Sequence, residues 1–311
     1  MSKMKIRIGT RKSKLALWQT EYVKSELIKS HPDLVVEVVE ISTKGDKILD
    51  VALSKIGDKG LFTKELESEL LSRRVDLAVH SLKDLETTMP ERLTLAAVTK
   101  RHAVNDVLIA CEKGVTIDSI REGGTVATGS LRRQSQLLNL RPDLKVVDIR
   151  GNVPTRIQKF IESDWDAMIL ARAGVERLGL EANISSVIPI DLMLPAVGQG
   201  ALGLQTRAED SATIEIVKSL HDKLIFAAVS AERAFLRELE GGCQVPIAAH
   251  AVAKPNGLFL KAYIGTVDGT EAMRGYVRGS RYEPEILGVG LARDMYNDGG
   301  KEIIATIDRL G

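Results

Sequence analysis

Two stretches of the chain repeat the same order of predicted elements, and this repeat limits the folds that the chain can adopt. In each stretch a strand ends in a polar segment with Ser and Arg (residues 9–13 and 128–133), and a helix, a strand, a helix and a strand follow. Strands that alternate with helices in this way form parallel sheets. The repeat therefore predicts two similar α/β lobes facing a cleft, the layout of periplasmic-binding-protein-like anion-binding proteins.

A third unit follows the repeat and predicts a smaller C-terminal α/β domain. Its first helix ends at the glycine pair 241–242, and three strands and a helix from Pro284 come after it. Before this unit, segment 194–203 contains a GxGxxG pattern. Its glycines lead into an alternating, strand-like run and not into a helix, so we predict a return to the first lobe instead of a dinucleotide site. The predicted domains are residues 1–100 with 200–219 (domain 1), 105–194 (domain 2) and 223–311 (domain 3).

The charges of the chain nearly cancel, with 43 Lys and Arg against 42 Asp and Glu. This balance indicates neither a nucleic-acid partner nor a membrane partner. Two cysteines are too few for a disulfide framework, five scattered histidines predict no metal site, and no apolar run is long enough to span a membrane. We therefore expect a cytoplasmic globular protein in which anion binding depends on the local placement of charge.

Cations and hydroxyl groups follow the ends of many predicted strands in both lobes. Arginine binds carboxylate and phosphate groups through two parallel hydrogen bonds, so this placement predicts a polyanionic ligand. A serine at such a position is also a common helix N-cap. The residues concerned are Arg11, Ser13, Lys55, Lys59, Lys83, Ser130, Arg132, Arg133, Arg150, Arg156 and Arg177.

Residues 42–60 carry four lysines among three glycines and show little hydrophobic periodicity. Loops of this length inside a compact domain are usually functional or disordered. We predict a mobile lid of the first domain that carries cations. The alternative is a solvated lysine loop without a function.

Asp84 follows a buried strand, residues 75–79, at the sheet edge where ligands bind in open α/β folds. A carboxylate at this place, beside Lys83, is a candidate acid/base group. The alternative is a helix N-cap, a role that aspartate often has after a strand. The strand and its polar end leave both interpretations open.

The two cysteines lie in different surroundings. Cys111 ends an apolar run, which predicts a small buried side chain. Cys243 follows a glycine pair beyond a helix end, which is a poor position for a core residue. A free thiol there is better explained as a reactive or attachment site, although cysteines in such positions often have no function.

Six motifs resemble the porphobilinogen deaminase (hydroxymethylbilane synthase) family in order and spacing over nearly the whole chain. They are GTRKS at 9–13, HSLKD at 80–84, SLRR at 130–133, RGNV at 150–153, LPAVGQGA at 194–201 and EGGCQVP at 240–246. The resemblance implies a monomeric three-domain transferase of tetrapyrrole (porphyrin and heme) biosynthesis. Such an enzyme joins four porphobilinogen molecules head to tail, releases ammonia and yields hydroxymethylbilane.

The resemblance also implies a role for each matched residue. Asp84 would be the catalytic acid/base, and Cys243 would hold a dipyrromethane cofactor through a thioether bond. The cofactor would be contacted by Lys83, Ser130, Arg132, Arg133, Arg150, Asp46 and Phe62. The substrate would be bound by Arg11, Ser13, Arg156, Arg177, Lys55 and Lys59.

Four positions depart from the family pattern. Glu86 stands where proline is usual, Gly129 where serine is usual, and Gln205 where glutamate is expected. The change at Gly129 removes one hydroxyl group from the predicted anion site. Arg172 adds a cation at a strand end that is usually uncharged, and its role is open.

The alternative function is a non-catalytic two-lobed protein that binds a polycarboxylate. This function accounts for the two lobes and for the cations at the strand ends. It gives no reason for Cys243 or for a third unit that carries it, so we favour the enzyme.

Overall fold

A computed structural model describes residues 4–47, 60–239 and 245–308 of the chain. Its residues group into two compact units. The first consists of Met1–Leu49, Asp58–His102 and Gly198–Phe226, and the second consists of the remaining segments. Within the described ranges, no helix has the length and apolar character that a membrane span requires.

The elements follow one another in the order that the sequence repeat predicts. The strands are β1 (Lys5–Arg11), β2 (Val35–Ile41), β3 (Leu77–Ser81), β4 (Leu93–Val98), β5 (Asp106–Ile109), β6 (Thr125–Ala127), β7 (Lys145–Val147), β8 (Ala167–Ala171), β9 (Ser186–Val187), β10 (Leu202–Arg207), β11 (Ile247–Lys254), β12 (Gly257–Gly265) and β13 (Ala272–Gly279). The α-helices are α1 (Lys14–Ser30), α2 (Lys44–Lys47), α3 (Lys64–Leu71), α4 (Leu131–Leu140), α5 (Val153–Ile161), α6 (Arg172–Glu176), α7 (Ser211–Val217), α8 (Lys223–Glu238), α9 (Pro284–Met295) and α10 (Lys301–Asp308). Short 3₁₀ turns cover Leu82–Asp84, Glu181–Asn183 and Lys218–Leu220, and a kinked segment, Tyr296–Gly300, with non-helical backbone at Asp298 and Gly299, joins the last two helices.

The first unit contains a five-stranded sheet in the order β2-β1-β3-β10-β4. Strand β1 pairs in parallel with β2 and β3, whereas β10 lies antiparallel between β3 and β4. The return of β10 to this sheet confirms that the glycine-rich segment leads into a strand and that the dinucleotide interpretation was correctly rejected. Helices cover both faces, and the apolar side chains of β1 and β3 are buried, whereas those of the edge strand β2 are only partly covered.

The second unit contains a sheet with the same arrangement, in the order β7-β6-β8-β5-β9. Strand β6 pairs in parallel with β7 and β8, and β5 lies antiparallel between β8 and β9. In both sheets the first strand of the repeat therefore lies inside, between its second and third strands. The prediction of two similar α/β lobes is confirmed.

The C-terminal part of the second unit is a three-stranded antiparallel sheet in the order β11-β12-β13. One face of the sheet packs against α8 and α9 through a buried cluster that includes Phe235, Leu260 and Leu291. The predicted smaller α/β domain is therefore present. The hydroxyl groups of Tyr263 in β12 and Ser135 in α4 lie 2.8 Å apart, so this sheet is joined to the second lobe.

Cys111 corrects one expectation from the sequence. Strand β5 ends at Ile109, two residues before the cysteine, and the side chain of Cys111 is exposed. The prediction of a buried Cys111 is wrong, because the apolar run continues past the last residue that the sheet covers.

Candidate active site

A small cavity of about 50 Å³ lies at the carboxyl ends of β1 and β3 in the first unit. Four residues that the sequence singled out line it together: Arg11, Ser13, Phe62 and Asp84. They meet because β1 and β3 are parallel neighbours, so the segments that follow these strands leave the sheet at the same edge. The remaining lining residues are Leu15, Ala16, Gln19, Thr63, Val79, His80 and Ser81.

Asp84 is held at this cavity by the 3₁₀ turn Leu82–Asp84. Leu82 is buried and packs where Gly198 and Gly203 have no side chain, and its N–H donates to the carbonyl of Ala201 at 3.0 Å. Gly198 has a φ of +71°, a conformation that glycine adopts without strain. Asp84 lies inside the turn and is exposed, so the helix N-cap interpretation is wrong.

Arg11 and Phe62 contact each other in the cavity lining. The guanidinium carbon of Arg11 lies 4.0 Å from the centre of the Phe62 ring, a cation–π contact that orients the arginine. Helix α2 approaches this ring closely, and a Cβ atom on Gly45 would overlap it. Ser13 caps helix α1, since its hydroxyl accepts from the N–H of Ala16 at 3.3 Å. Ser13 therefore caps the helix and also lines the cavity.

Sequence analysis missed two buried polar residues that line the cavity, Gln19 and His80. Gln19 is 2% exposed, and its amide donates to the Ser81 hydroxyl at 2.8 Å. His80 is also buried and contacts Gln205. The available signal was a polar residue on the apolar face of α1 and another within the otherwise apolar strand β3.

Lys83 points to the glycine-rich segment that returns to the first unit. Its ammonium group donates to the side-chain oxygen of Gln199 at 3.2 Å, and Arg101 donates to the backbone carbonyl of the same residue at 2.8 Å. Gln199 is buried between Gly198 and Gly200, which both have a positive φ. The segment therefore forms a tight turn that supports the lysine next to Asp84.

In the second unit, Arg132 and Arg133 meet one buried carboxylate that the sequence did not single out. Asp106 is fully buried, and its two oxygens accept from Arg132 at 2.7 Å and from Arg133 at 2.8 Å. Burial by itself would raise the pKa of Asp106, but the charges and hydrogen bonds of the two arginines outweigh burial and hold this pKa well below its usual range. The two arginines also donate to the backbone carbonyls of Leu194 and Ile169.

One hydrogen-bond donor of this cluster is left without a partner among the described residues. Two guanidinium groups share a single carboxylate, and Nε of Arg133 is buried without a hydrogen-bond partner in the described part of the chain. A buried donor that lacks a partner costs free energy, and a ligand carboxylate would satisfy it. The second unit therefore fits a cofactor that carries carboxylates.

The other predicted residues of the second unit lie in or next to its helices and loops, and Arg177 follows the end of α6. Ser130 is the N-cap residue of α4, and its N–H donates to the Thr128 hydroxyl at 3.3 Å. Arg156 donates to the carbonyl of Gly151 at 2.7 Å, while Arg150 is half-buried and Arg177 is 8% exposed.

Three departures from the family pattern have structural counterparts. Arg172 pairs with Glu176 one helical turn later at 2.6 Å, which accounts for the extra cation. A Cβ atom on Gly129 would lie 2.8 Å from the carbonyl oxygen of Ile149, so a serine at this position would require the neighbouring backbone to move. Leu85 is buried, and the carboxylate of Glu86 lies beside Gly60.

Several predicted residues lie outside the described part of the chain. They are Lys55, Lys59 and Cys243, together with most of the predicted lid 42–60. Asp46 belongs to helix α2, and the structure describes only its backbone.

Comparison with known proteins gives the same family for both parts of the chain. The family model "Porphobilinogen deaminase, dipyromethane cofactor binding domain" matches residues 6–215, and "Porphobilinogen deaminase, C-terminal domain" matches residues 226–297. A porphobilinogen deaminase from Carboxydothermus hydrogenoformans is 47% identical over 307 residues, which cover 99% of this chain and 98% of that protein. The one from Geobacter sulfurreducens is 48% identical over 307 residues, with 99% and 96% covered. Among solved structures, the VFT2 domain of Bordetella pertussis BvgS is 16% identical, with a TM-score of 0.41 over 70% of this chain and 86% of that chain.

Proposed function

Because the chain belongs to the porphobilinogen deaminase family, we propose that the cavity of the first unit is where its reaction takes place, with Asp84 as the acid/base group. The activity is hydroxymethylbilane synthesis, in which four porphobilinogen molecules are joined head to tail and ammonia is released. Membership of the family favours this activity over a non-catalytic polycarboxylate-binding protein.

The observation that carries the proposal is the position of the Asp84 carboxylate, exposed at a cavity that also contains Arg11 and Phe62. A positioned carboxylate stabilises the positive charge that develops on the substrate as ammonia leaves. In its two protonation states it also gives a proton to a leaving amine and accepts one from carbon. One residue at this position can therefore serve both halves of the reaction.

Arg11 is the residue that we propose to hold a substrate carboxylate beside Asp84. Its guanidinium group is oriented by the Phe62 ring and reaches the same cavity. We further propose that Ser13, Arg156, Arg177, Lys55 and Lys59 bind the remaining carboxylates of the substrate.

The cofactor of the family is dipyrromethane, joined to a cysteine through a thioether, and when bound it supplies the pyrrole carbon to which the first substrate is added. We propose Cys243 as that cysteine, because the exposed Cys111 has no comparable motif around it. We propose that Lys83, Asp46 and Phe62 of the first unit and Ser130, Arg132, Arg133 and Arg150 of the second contact the cofactor. Two arginines, Arg132 and Arg133, pair with the single carboxylate of Asp106, and this excess of positive charge supports the proposed cofactor contacts in the second unit.

We also propose the three-domain division given by the sequence, with residues 1–100 and 200–219, 105–194 and 223–311 as the domains. The separate sheets, one in each of these ranges, support it. We also propose a monomer, the state that the family resemblance implies, and a cytoplasmic location, which the low cysteine content supports.

Replacing Arg11 with alanine should lower kcat/KM for porphobilinogen by roughly 10- to 100-fold, because one hydrogen-bonded charge pair is worth about 1.5–3 kcal/mol. Arg11→Lys should recover only part of this loss, since lysine keeps the charge but lacks the planar fork. Steady-state kinetics with Arg92→Ala as the control, an exposed arginine of the same unit, measures the effect. A kcat/KM of Arg11→Ala within twofold of the control would contradict the assignment.

A further inference from the structure

Strand β13 is an edge strand of the C-terminal sheet. It is the last strand in the order β11-β12-β13, and within the described ranges it pairs only with β12. Its side chains alternate between a half-buried face and an exposed face, and Tyr276 on the exposed face is 60% accessible. Helix α9 packs against the half-buried face, where Met295 lies close to Gly275. The other face of this edge strand is therefore open to solvent.

The open face of the sheet carries an excess of positive charge. Strands β11, β12 and β13 contain no acidic residue, although the chain has 42 of them. Their exposed cations are Lys254, Lys261, Arg274 and Arg278. In the described part of the chain, the one carboxylate in contact with these cations is that of Asp191, which accepts from Lys261 at 2.6 Å. Such a face attracts an anionic partner.

The two arginines of β13 are oriented by neutral groups, so their charges are not cancelled. The guanidinium carbon of Arg278 lies 5.1 Å from the centre of the Phe259 ring, and the group donates to the carbonyl of Asn256 at 3.2 Å. Arg274 lies 5.5 Å from the centre of the Tyr263 ring and donates to two backbone carbonyls of the second lobe. Side chains that are already held in place lose little conformational entropy when a carboxylate binds to them.

The opposite edge of the sheet, β11, is used by a helix. The N–H of Ala251 donates to the buried carboxylate of Glu232 in α8 at 2.8 Å. Extended segments bind to sheet edges by adding a strand, and side chains opposite one another on neighbouring strands lie about 5 Å apart. A strand added at β13 would therefore meet Arg274 and Arg278 directly.

The charges at this edge select an acidic protein segment. A second copy of β13 would bring arginines close to arginines, and like charges destabilise a strand pair. Single-stranded nucleic acids bind to several aromatic rings that can stack on their bases. Of the three rings in these strands, Tyr263 is completely buried, Phe259 is half-buried beside Arg278, and only Tyr276 is exposed.

We propose that β13 is a docking site for an acidic segment of a partner protein, which adds to the sheet as a fourth strand. Neighbouring strands have the same rise of about 3.4 Å per residue. Acidic residues four positions apart in the segment therefore lie opposite Arg274 and Arg278. The site is additional to the reaction, because none of its residues belongs to the set proposed above for substrate or cofactor.

A fluorescein-labelled peptide of alternating glutamate and threonine, as long as β13, is the probe for this site. Added to the purified full-length protein, it should show saturable binding by fluorescence anisotropy. The binding should weaken as salt rises above physiological strength, where charges are screened beyond about 8 Å. A peptide with glutamine in place of glutamate should bind at least ~10-fold more weakly, because the arginines then lose their counter-charges. Equal binding of the two peptides, or no binding of the acidic one, would overturn the proposal.

The variant Arg278→Glu should weaken binding of the acidic peptide roughly 10-fold or more, since it removes an attraction and adds a repulsion. Arg278→Gln removes only the attraction and should weaken binding by about 5-fold or less. Lys145→Glu is the matched control, because Lys145 is an exposed cation on β7, an edge strand of another sheet of the same unit. Equal weakening by Lys145→Glu and Arg278→Glu would overturn the proposal. Porphobilinogen consumption by Arg278→Glu should match that of the wild type, which shows that the variant is folded.

Hydrogen–deuterium exchange locates the bound peptide. Exchange of the backbone amides of Ala272–Gly279 should slow when the peptide is added, because an added strand supplies hydrogen-bond acceptors. Protection confined to other segments would overturn the proposal.

Two further measurements test the other occupants. A single-stranded oligouridine of the same length should bind more weakly than the acidic peptide, and tighter binding would show a nucleic-acid site instead. Sedimentation of the protein alone should show no self-association that Arg278→Glu abolishes. Such self-association would identify a second copy of the chain as the occupant and overturn the proposal.

Discussion

Replacing Asp84 with alanine should lower the rate of porphobilinogen consumption by ~10²–10⁴-fold or more, the range that a general acid/base group contributes. The fold should persist, because the turn that carries Asp84 is held by the buried side chain of Leu82 and not by the exposed carboxylate. Thermal unfolding of the variant should therefore follow that of the wild type.

One further variant separates charge from shape at this position, and a second serves as a control. Asp84→Asn keeps the size of the side chain and removes its charge, so we expect a loss close to that of alanine. Glu91→Ala removes an exposed carboxylate elsewhere in the same unit and should leave the rate unchanged. A rate for Asp84→Ala near that of the wild type would show that the assignment of the acid/base group is wrong.

Replacing Asp106 with alanine should destabilise the protein by about 3–5 kcal/mol, because Arg132 and Arg133 would remain buried without their counter-ion. Urea unfolding of the purified variant measures the loss. Asp143→Ala is the matched control, since this aspartate pairs with Arg141 at the surface, and its effect should be clearly smaller. Equal unfolding midpoints for the two variants would contradict the role given to Asp106.

The same residue predicts how stability depends on pH. The pKa of Asp106 is lower in the folded protein than in the unfolded chain, so its ionisation stabilises the fold fully above the unfolded value of about 3.9. This contribution is lost progressively as the pH falls below that value. The free energy of unfolding of Asp106→Asn should accordingly fall less between pH 5 and pH 3 than that of the wild type.

The lobes and the positions of Arg11 and Asp84 at the cavity could be predicted from the sequence because both depend on local patterns. Arg11 and Asp84 each follow a strand directly, and parallel strands β1 and β3 end at the same edge, so their meeting did not require knowledge of distant contacts. The rejection of the GxGxxG pattern depended on the alternation after residue 200, which is also local.

The partners of the buried polar residues could not be predicted in this way. Asp106 in β5 meets Arg132 in α4 across 26 residues, and His80 in β3 meets Gln205 in β10 across 125 residues, in elements that only the fold brings together. No local pattern distinguishes Asp106 from an ordinary surface aspartate. The prediction therefore treated Arg132 and Arg133 only as ligand contacts and did not include the Asp106 carboxylate, which holds both side chains in place.

The covalent attachment of the cofactor is the central claim, and mass spectrometry of the purified protein tests it most directly. We predict an intact mass above the 33.9 kDa of the sequence by one dipyrromethane unit, with peptide mapping that places the addition at Cys243. The exposed Cys111 serves as an internal control and should be unmodified, which excludes non-specific reaction of thiols. An active enzyme in which Cys243 is unmodified would contradict the account.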